Sequence, residues 1–463
     1  MEVQLFGAAR EVTGSCYSIT TDAGEKILVD CGLFQGGKDV ERKNYEDFGF
    51  KPSEYSALIL THAHLDHCGR IPKLVRQGFR GKIYATNATK DLASIILMDS
   101  VKIAEQDTKN ENKRRAREGL PARKPIYNEN DVKNTLRLFK LVRYDEDIHI
   151  SKDITARFYD AGHIIGASSI QITINEGKNS KILAFSGDIG QADAVIVKNT
   201  EPIKKADYVF VESTYGDRLH PPMEDRKKEF LRIIKDTYNR GGKLMIPSFA
   251  VERAQELLYC IGQFEQQGLL PQKKVYLDSP MAIRATEVFT RYQEYYNKKI
   301  EQILKKRKDP FSFPGLINTL TVEESKEINY VTEPCIIIAG NGMCTGGRIK
   351  HHIRNHIEDS RNTLLLVGYQ ARGTLGYWIQ KGEKRIRLLG TEVEVNAEIE
   401  FIPGFSAHAD YRGLIQWLKN FSPKPKTIFI VHGEEKQSLE FEKKLQKTGM
   451  KSYIPSAGES INL

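Results

Sequence analysis

Residues 61–67, Thr-His-Ala-His-Leu-Asp-His, constrain the fold of this chain more than any other feature. An apolar run at residues 55–60 predicts a buried strand before them, and an amphipathic stretch at residues 69–76 predicts a helix after them. In α/β folds, ligand sites collect beyond the carboxyl ends of the strands. Because imidazole and carboxylate groups suit zinc, the pattern predicts a metal site there. The alternative, a solvated turn that happens to be rich in histidine, is disfavoured by four candidate ligands so close together; they are His62, His64, Asp66 and His67.

Composition and charge narrow the class of protein. With 463 residues, the chain is expected to form two or more domains. Its composition, 40% hydrophobic and 28% charged, is typical of folded globular proteins, and no apolar run approaches the length of a membrane span. The net charge of +9 favours a polyanionic partner.

The cysteines and the start of the chain indicate the compartment. Six cysteines are scattered without a Cys-x-x-Cys pair, which argues against a disulfide framework and against a thiolate metal site. The first residues enter a predicted strand directly, without a charged and apolar leader. We therefore expect a reducing compartment, a cytoplasmic location and no membrane partner.

Further acids and histidines follow apolar runs elsewhere in the chain. Each stands at the end of a predicted element, as the first cluster does; they are Asp30, His163, Asp188, Glu212, His408 and His432. Taken singly, Asp30 is as readily a turn residue as a group that orients a metal-bound histidine. His163 alone is as readily a packed core histidine as a ligand. One such placement carries little weight, but the whole set predicts a common site.

Other polar segments are interpreted as structural. Residues 110–124 are densely charged, and we interpret them as a mobile, solvated connector, with phosphate contact as the alternative. The remaining histidines are interpreted as surface or packing residues, again with phosphate contact as the alternative for the last three; they are His149, His220, His351, His352 and His356.

Between about residues 221 and 381 the pattern changes to alternating strands and helices. Apolar runs that are each followed by a turn and a predicted helix, or by a glycine-rich turn, lie at residues 243–246, 275–277, 336–339 and 363–367. Ser279 and Pro280 have the N-cap and first-turn character of a helix start. This alternation predicts a parallel sheet covered by helices.

Together these motifs resemble the metallo-β-lactamase superfamily and, within it, the β-CASP nucleases. That group includes the nuclease subunit of the pre-mRNA 3′-end cleavage and polyadenylation factor and its prokaryotic relatives. The residues that carry the resemblance are Asp30, the cluster at 62–67, His163, Asp188, Glu212, His408 and His432. The resemblance spans nearly the whole chain and implies an α/β fold, an αββα metallo-β-lactamase sandwich with an inserted β-CASP domain whose parallel sheet is flanked by helices. The implied boundaries are 1–212 and 391–463 for the two parts of the metallo-β-lactamase domain and 213–390 for the β-CASP domain.

The resemblance also implies two zinc ions per chain. One zinc ion would be held by His62, His64 and His163. The other would be held by Asp66, His67 and His432, and Asp188 would bridge the two. Such a pair lowers the pKa of a shared water and clamps the attacking and departing oxygens of a phosphodiester.

The implied catalytic residues are Asp66, Glu212 and His408, and Asp30 would orient the ligands from outside the metal shell. A histidine that is oriented by a carboxylate is a suitable general acid, so His408, held by Glu212, is expected to protonate the leaving oxygen. The alternative for His408 is a direct zinc ligand.

Glycine turns and arginines of the inserted domain are expected to form a cationic slot facing the metals. The residues expected to line it are Arg253, Gly346, Gly347, Arg372, Gly373 and Thr374. A lid over the site should leave a groove too narrow for a duplex, so a single strand would be held by phosphate contacts and base stacking. The alternative for Arg372 is an ion pair that only braces its turn.

The sequence therefore predicts a zinc-dependent ribonuclease acting on single-stranded RNA in processing or decay, as an endonuclease, a 5′-exonuclease or both. One alternative is a small-molecule hydrolase of the thioesterase or lactamase type, which the insertion at about residues 216–390 disfavours. Another is a catalytically silent RNA-binding subunit, which the presence of all seven candidate ligands disfavours. A DNA-repair nuclease of the same group is a weaker alternative, because relatives that act on DNA tend to have a different residue at the position of His432. Self-association as a homodimer is left open.

Overall fold

The chain divides into two compact units that are not each continuous in sequence. The computed structural model describes residues 1–177, 179–271, 274–305, 309–368, 370–403 and 405–463. The first unit consists of Met1–Leu219 and His408–Leu463, and the second of His220–Ala407. Among the helices of the described residues, none has both the length and the apolar composition that a membrane span requires.

The N-terminal part of the first unit contains most of its strands. The strands are β1 (Glu2–Leu5), β2 (Tyr17–Thr20), β3 (Lys26–Val29), β4 (Ala57–Ile59), β5 (Lys82–Thr86), β6 (Phe139–Val142), β7 (Asp147–His149), β8 (Ile154–Asp160), β9 (Ser168–Glu176), β10 (Asn179–Phe185) and β11 (Tyr208–Glu212). The helices are α1 (Lys38–Arg42), α2 (Leu65–Cys68), α3 (Ile71–Arg76), α4 (Asn87–Arg117) and α5 (Glu129–Leu136).

The second unit alternates strands and helices. The strands are β12 (Leu244–Pro247), β13 (Val275–Asp278), β14 (Leu316–Asn318), β15 (Ile336–Ala339), β16 (Thr363–Leu366), β17 (Arg385–Leu388), β18 (Thr391–Glu394) and β19 (Glu398–Phe401). The helices are α6 (Met223–Asn239), α7 (Arg253–Gln266), α8 (Pro280–Arg291), α9 (Lys298–Leu304), α10 (Val322–Glu327), α11 (Ile349–His356) and α12 (Leu375–Gln380).

The C-terminal part returns to the first unit and completes both of its sheets. Its elements are α13 (Tyr411–Leu418), β20 (Thr427–Val431), α14 (Glu435–Gln446), β21 (Ser452–Tyr453) and β22 (Ser460–Asn462). One sheet has the order β22-β1-β2-β3-β4-β5-β6, and the other has the order β21-β20-β11-β10-β9-β8-β7. Because the last strands pair with strands from the first half, the unit closes only when both ends of the chain are present.

The hydrophobic core of the first unit joins its two sheets. Alternate residues of the facing strands, such as Ile19 and Ile27 in one sheet and Phe158 and Phe210 in the other, are fully or almost fully buried in one cluster. On the outer face of the second sheet, α13 and α14 bury their apolar faces in a further cluster. On the first sheet, α4 contacts β5 and β6. These layers form the αββα sandwich that the family resemblance implies.

The six-stranded sheet of the second unit is parallel throughout the strands described in it, and β17 and β18 form a separate antiparallel pair. The order of the six-stranded sheet is β14-β13-β15-β12-β16-β19, and each neighbouring pair is parallel. The expected helix start at α8 is present, since the Ser279 hydroxyl accepts a hydrogen bond from Ala282 N and Pro280 is the first helical residue. The parallel sheet flanked by helices is therefore confirmed.

The expected start of the C-terminal part at residue 391 stays a prediction. In the structure β19 pairs with β16, and residues 391–407 group with the second unit. Residues 110–117 were interpreted as part of a mobile connector, but they continue α4. Lys, Arg, Glu and Ala are good helix formers, and Glu111 pairs with Arg114 at 2.8 Å along the helix. The connector interpretation is wrong for these residues.

Candidate metal centre

The candidate ligands lie at strand and helix ends within the first unit. His62 and His64 follow β4, and His64 is the N-cap residue of α2. Asp66 and His67 lie inside α2, so the helix begins earlier than the sequence pattern indicated. The others follow a strand or precede a helix: His163 comes after β8, Asp188 after β10, Glu212 at the end of β11, His408 before α13 and His432 after β20. The two sheets thus deliver residues that are far apart in sequence to one place.

The first set of donor atoms consists of three imidazole nitrogens and a carboxylate oxygen. His64 Nδ1 lies 3.1 Å from His62 Nε2 and 3.2 Å from His163 Nε2. Asp188 Oδ2 lies 3.3 Å from His62 Nε2 and 3.5 Å from His163 Nε2. Tetrahedral zinc with bonds of about 2.0–2.1 Å separates its ligand atoms by roughly 3.3–3.4 Å. The spacing of this set therefore suits a tetrahedral ion.

The second set has the same spacing and shares the same aspartate. His432 Nε2 lies 3.1 Å from His67 Nε2 and 3.4 Å from Asp66 Oδ2. Asp188 Oδ1, the other oxygen of that carboxylate, lies 3.3 Å from His67 Nε2. Asp188 thus offers one oxygen to each set of donors.

Asp188 Oδ1 shows that the second set fits a cation. Asp188 is 1% exposed, and within the described residues its Oδ1 atom has no hydrogen-bond partner. A buried carboxylate oxygen without a donor is costly unless a positive charge compensates it. The donor types and the orphaned oxygen both match a metal ion.

Asp30 and Thr61 orient the imidazoles from behind. Asp30 Oδ2 accepts hydrogen bonds from His67 Nδ1 at 2.7 Å and from the Thr61 hydroxyl at 2.8 Å, and Asp30 Oδ1 accepts one from Thr61 N at 2.8 Å. The Thr61 oxygen lies 3.1 Å from His62 Nδ1. Since the hydroxyl donates to Asp30, it accepts from His62, and both histidines keep a lone pair on Nε2 for a metal.

Thr214 orients the His432 imidazole in the way that Thr61 orients His62. The Thr214 hydroxyl donates to the His432 carbonyl oxygen at 3.1 Å and lies 3.1 Å from His432 Nδ1. It therefore accepts from Nδ1 and leaves the Nε2 lone pair free. Neither Thr61 nor Thr214 was assigned a role from the sequence. Their position, directly before His62 and two residues after Glu212, was the available signal.

The backbone at the site adopts conformations that are unusual for residues with a side chain. Asp30 has φ +58° and His432 has φ +48°, and both are almost completely buried. Such residues persist only where surrounding contacts hold them, and they cluster at functional sites. Next to Asp30, a Cβ on Gly32 would lie 1.6 Å from the Asp66 carbonyl oxygen, so only glycine allows this approach.

Burial and charge set the protonation of the two groups of donors differently. Burial lowers the pKa of His62 to about 3 and that of His64 to about 4, so both imidazoles are neutral and able to bind a metal. Burial also opposes a charge on His67, but the Asp188 and Asp30 carboxylates raise its pKa well above the usual range. The second set therefore attracts positive charge strongly.

Glu212 and His408 form a pair at the edge of the donor sets. Glu212 is fully buried, its Oε1 accepts from Ile189 N at 2.6 Å, and its Oε2 lies 3.0 Å from His408 Nδ1. The His408 side chain is 18% exposed, and its Nδ1 lies 3.8 Å from Asp188 Oδ2. Burial alone lowers the pKa of His408, but the carboxylates of Glu212 and Asp188 raise it to about 9. Glu212, His408 and Asp188 also form a third group with metal-ligand types, so both roles expected for His408 stay open on geometry.

The residues expected to bind substrate lie in the second unit and have different environments. Arg372 and Gly373 are exposed, and Thr374 caps α12 by accepting from Tyr377 N at 3.3 Å. Gly346 and Gly347 lie in the turn between β15 and α11. Arg253 differs from the expectation, because it is 6% exposed and its guanidinium donates to Glu256 at 3.0 Å. It serves packing inside α7 rather than presenting an exposed charge.

The histidines interpreted as structural include one buried residue. His352 is 1% exposed, and its Nε2 lies 2.6 Å from Asp278 Oδ2 at the end of β13. Arg348 donates to the other oxygen of Asp278 at 2.7 Å. This ion-paired cluster holds α11 against the sheet and supports the packing interpretation of His352.

A buried aspartate near the His163 loop gives a prediction about pH and stability. Asp160 is 3% exposed and accepts a hydrogen bond from Gly162 N at 2.9 Å, while burial raises its pKa to about 7. Since the folded pKa exceeds the unfolded one of about 3.9, its stabilising effect is complete below about pH 4 and is lost as the pH rises through 7. Asp160→Asn keeps the acceptor and removes the ionisation, so its melting temperature should exceed that of the wild type increasingly from pH 5 to pH 8.

The exposed Asp193 provides the control for that measurement. Asp193→Asn removes the same charge from a solvated position and should leave the pH dependence of the melting temperature unchanged. Equal pH dependence in the wild type and in Asp160→Asn would show that Asp160 does not titrate in this range.

Known families match the chain along most of its length. The Metallo-beta-lactamase superfamily profile matches residues 9–110, the Beta-Casp domain profile matches residues 254–379, and the profile of the Zn-dependent metallo-hydrolase RNA specificity domain matches residues 392–455. These matches cover parts of both units.

Curated proteins from bacteria and archaea are similar to the whole chain. Ribonuclease TTHA0252 of Thermus thermophilus is 38% identical over 461 residues, covering 100% of both chains. An RNase J-like protein of Methanocaldococcus jannaschii is 32% identical and covers 98% of both chains. Transcription termination factor FttA of the same organism is 32% identical, covering 100% of this chain and 72% of its own.

The fold and the site first define a class. A sandwich of two sheets with histidine and aspartate donors at the strand ends is the framework of a metal-dependent hydrolase, and the parallel-sheet unit is inserted into it. The chain belongs to the β-CASP ribonuclease family of the metallo-β-lactamase superfamily.

Proposed function

We propose that this protein is a zinc-dependent ribonuclease that hydrolyses phosphodiester bonds of single-stranded RNA. The observation that carries the proposal is the Asp188 carboxylate, whose two oxygens belong to two separate donor sets at 3.3 Å spacing. A small-molecule hydrolase would use the same metal core, but relatives that match the full chain are named as ribonucleases. The matching RNA specificity domain supports RNA as the substrate.

The residues of the first unit would hold two zinc ions. His62, His64 and His163 would hold one, and Asp66, His67 and His432 the other, with Asp188 shared. A zinc pair supplies a hydrolytic nucleophile at neutral pH and neutralises charge on the phosphodiester under attack. Asp30 and Thr61 keep the imidazoles in the tautomer that binds metal, because their hydrogen bonds occupy the Nδ1 atoms.

His408 would provide the proton that the leaving oxygen needs. The Glu212 carboxylate accepts from His408 Nδ1, which leaves the Nε2–H of the imidazolium available to a substrate oxygen. Glu212 is itself held by Ile189 N and has its own backbone N–H bonded to the Ser186 hydroxyl at 3.0 Å. This positions the imidazole before the substrate arrives.

Contacts with the RNA backbone are proposed for the second unit. Arg372 is exposed and forms no ion pair among the residues described, and phosphate contacts are proposed for the backbone N–H groups of Gly346, Gly347 and Gly373, whereas Thr374 N donates to the Ala371 carbonyl at 3.1 Å. Guanidinium and N–H groups bind phosphate oxygens without reading the base. Arg253 is left out of this set because its guanidinium is buried against Glu256.

The proposal is tested by comparing substrates on the same purified protein. Unstructured RNA labelled at either end, with a 5′-phosphate or a 5′-hydroxyl, should be cleaved. Release of a labelled mononucleotide from the 5′ end would indicate 5′-exonuclease action, and a longer labelled fragment would indicate endonuclease action. Perfect duplex RNA should be cleaved much more slowly. Hydrolysis of a thioester with intact RNA would overturn the proposal, and so would binding of RNA without any cleavage.

Removal of the metal is expected to abolish cleavage and to lower the melting temperature. Asp188 Oδ1 has no hydrogen-bond partner among the described residues, and the fold brings the donor atoms together, so the folded state binds zinc much better than the unfolded state does. The protein is dialysed against a chelator, assayed on RNA and scanned for unfolding, and zinc is then returned. Unchanged activity at a zinc content below one ion per ten chains would contradict the metal requirement.

A further inference from the structure

A groove of about 610 Å³ lies along the C-terminal half of α4, away from the donor sets. One wall is the helix, with Thr108, Lys109 and Lys113, and the other is the segment after it, with Arg123 and Lys124. We call this feature the α4 groove. All of its lining belongs to the first unit, and none of it takes part in the chemistry described above.

The second wall of the α4 groove is fixed to the helix. The Asn112 side chain donates to the Arg123 carbonyl at 2.9 Å and accepts from Arg123 N at 2.7 Å. Arg115 Nε donates to the Pro121 carbonyl at 2.7 Å. The Arg123 guanidinium lies 4.2 Å from the centre of the Tyr45 ring. The groove is therefore a formed surface rather than a chance gap beside a loose segment.

The charged residues that line the α4 groove are predominantly basic. Lys109, Lys113, Arg123 and Lys124 line it together with a single acid, Glu105. In the part of the chain that the structure describes, the three lysines form no ion pair, whereas Arg114 on the same helix pairs with Glu111 at 2.8 Å. Lys109 and Lys113 are four residues apart, and like charges at this spacing destabilise a helix. An anion bound between them would remove that repulsion.

The floor of the groove contains a hydroxyl that also lacks a partner. Thr108 is 6% exposed, lines the groove, and its Oγ1 atom has no hydrogen-bond partner among the described residues. Buried hydroxyls are usually hydrogen-bonded, and an unpaired one costs free energy. A ligand with acceptor oxygens would satisfy it, which is independent of the lysine charges and indicates the same chemistry.

We propose that the α4 groove binds the phosphate backbone of the RNA substrate at a distance from the metal centre. This inference rests on the proposed ribonuclease function. Phosphate oxygens match both the lysines and the Thr108 hydroxyl, and Arg123, held over the Tyr45 ring, adds a positioned positive charge beside them. An acidic protein is the alternative partner, but it would have to place carboxylates at the spacing of the groove lysines.

The length of α4 sets the size of RNA that reaches the groove. The start of α4 is close to the loop of His163, since the Thr89 hydroxyl donates to the Gly166 carbonyl at 2.8 Å. At about 1.5 Å per residue, the groove begins roughly 27 Å and ends roughly 44 Å along the helix. A stacked strand advances about 3.4 Å per nucleotide, so roughly 8–13 nucleotides separate the groove from the cleaved bond. Short RNAs should therefore not use it.

The test is a triple variant, Lys109→Ala, Lys113→Ala and Lys124→Ala, in the full zinc-loaded chain. Its affinity for an unstructured RNA of 30 nucleotides should fall at least tenfold, measured in a His408→Ala background that blocks cleavage. The slope of log affinity against log salt should become smaller by about 2, since each phosphate contact on a single strand contributes about 0.7. Cleavage of a five-nucleotide RNA by the triple variant with His408 intact should equal that of the wild type.

A matched variant separates a local site from overall charge. Lys419→Ala, Lys447→Ala and Lys451→Ala remove the same charge from exposed positions of the first unit and should leave binding of the long RNA almost unchanged. Thr108→Val keeps the shape of the groove floor and removes only the hydroxyl, and it should weaken long-RNA binding severalfold.

Three results would overturn the inference. The first is equal affinity of the triple variant and the wild type for long RNA. The second is an equal loss in the matched variant. The third is wild-type binding of polyglutamate, lost in the triple variant, that is as strong as RNA binding, since this would identify an acidic protein as the partner. Failure of the wild type to cleave either the 30-nucleotide or the five-nucleotide RNA would instead overturn the ribonuclease function, so the two failures are distinguishable.

Discussion

Asp188→Ala is expected to lose both metal ions and to reduce RNA cleavage by more than about 100-fold. Its two oxygens lie 3.3 Å from His62 Nε2 and from His67 Nε2, so one substitution removes a ligand from each donor set. Loss of a group that merely supports a metal ligand costs about 10–100-fold in affinity or activity, and loss of a shared ligand should exceed that. Metal content by elemental analysis and cleavage of labelled RNA are measured on the same preparation.

Asp160→Asn is the matched control for that experiment. Asp160 is another almost fully buried aspartate, and it ends β8 in the sheet that also contains β10. It accepts a hydrogen bond from Gly162 N and belongs to neither donor set. It should keep about two zinc ions and most of the activity. An active wild-type protein with one zinc ion per chain would refute the two-ion arrangement, and an Asp188→Ala variant with full zinc would refute the shared ligand.

Much of the candidate site follows from a single rule about parallel strands. Polar residues placed directly after apolar runs, such as Asp188, Glu212 and His432, meet because β10, β11 and β20 are parallel neighbours whose carboxyl ends lie at the same edge of a sheet. The rule works here because the strands are short and end where the apolar run ends. The rule uses only the position at which each strand ends. It therefore gives no information on the order of the strands within each sheet.

The supporting groups were harder to predict because their roles depend on neighbours in space. Thr61 links Asp30 to His62 through one hydroxyl, and nothing in its own position shows that the hydroxyl donates in one direction and accepts in the other. Arg253 was placed in a substrate slot because it begins a helix. The acid three residues later, Glu256, was a visible signal that its charge is already paired.

The extents of two segments were hard to predict for a related reason. The strand β19 belongs to the second unit because it pairs with β16, which is a contact between residues well separated in sequence. The continuation of α4 through residues 110–117 was instead indicated by the local sequence, which we misinterpreted. A run of Lys, Arg and Glu was interpreted through its charge, although the same residues have high helix propensity and no glycine intervenes before Gly119.

His408→Ala is expected to reduce RNA cleavage by about 10²–10⁴-fold while both zinc ions remain bound. The reason is that His408 Nδ1 is held by Glu212 at 3.0 Å, whereas the two donor sets are complete without it. A phosphodiester with a 4-nitrophenolate leaving group separates the roles, because that leaving group departs as a stable anion and needs no proton. The variant should cleave this substrate at nearly the wild-type rate.

Glu212→Gln tests the same assignment through the pH profile. The Glu212 carboxylate raises the pKa of His408, so its loss should lower that pKa and move the alkaline limb of RNA cleavage to lower pH. A substitution that acted only on packing would reduce the rate without moving this limb. If His408→Ala instead purifies with half of the zinc and is equally slow on both substrates, His408 is a metal ligand. In that case Glu212 orients a ligand, and the proton for the leaving oxygen comes from another group.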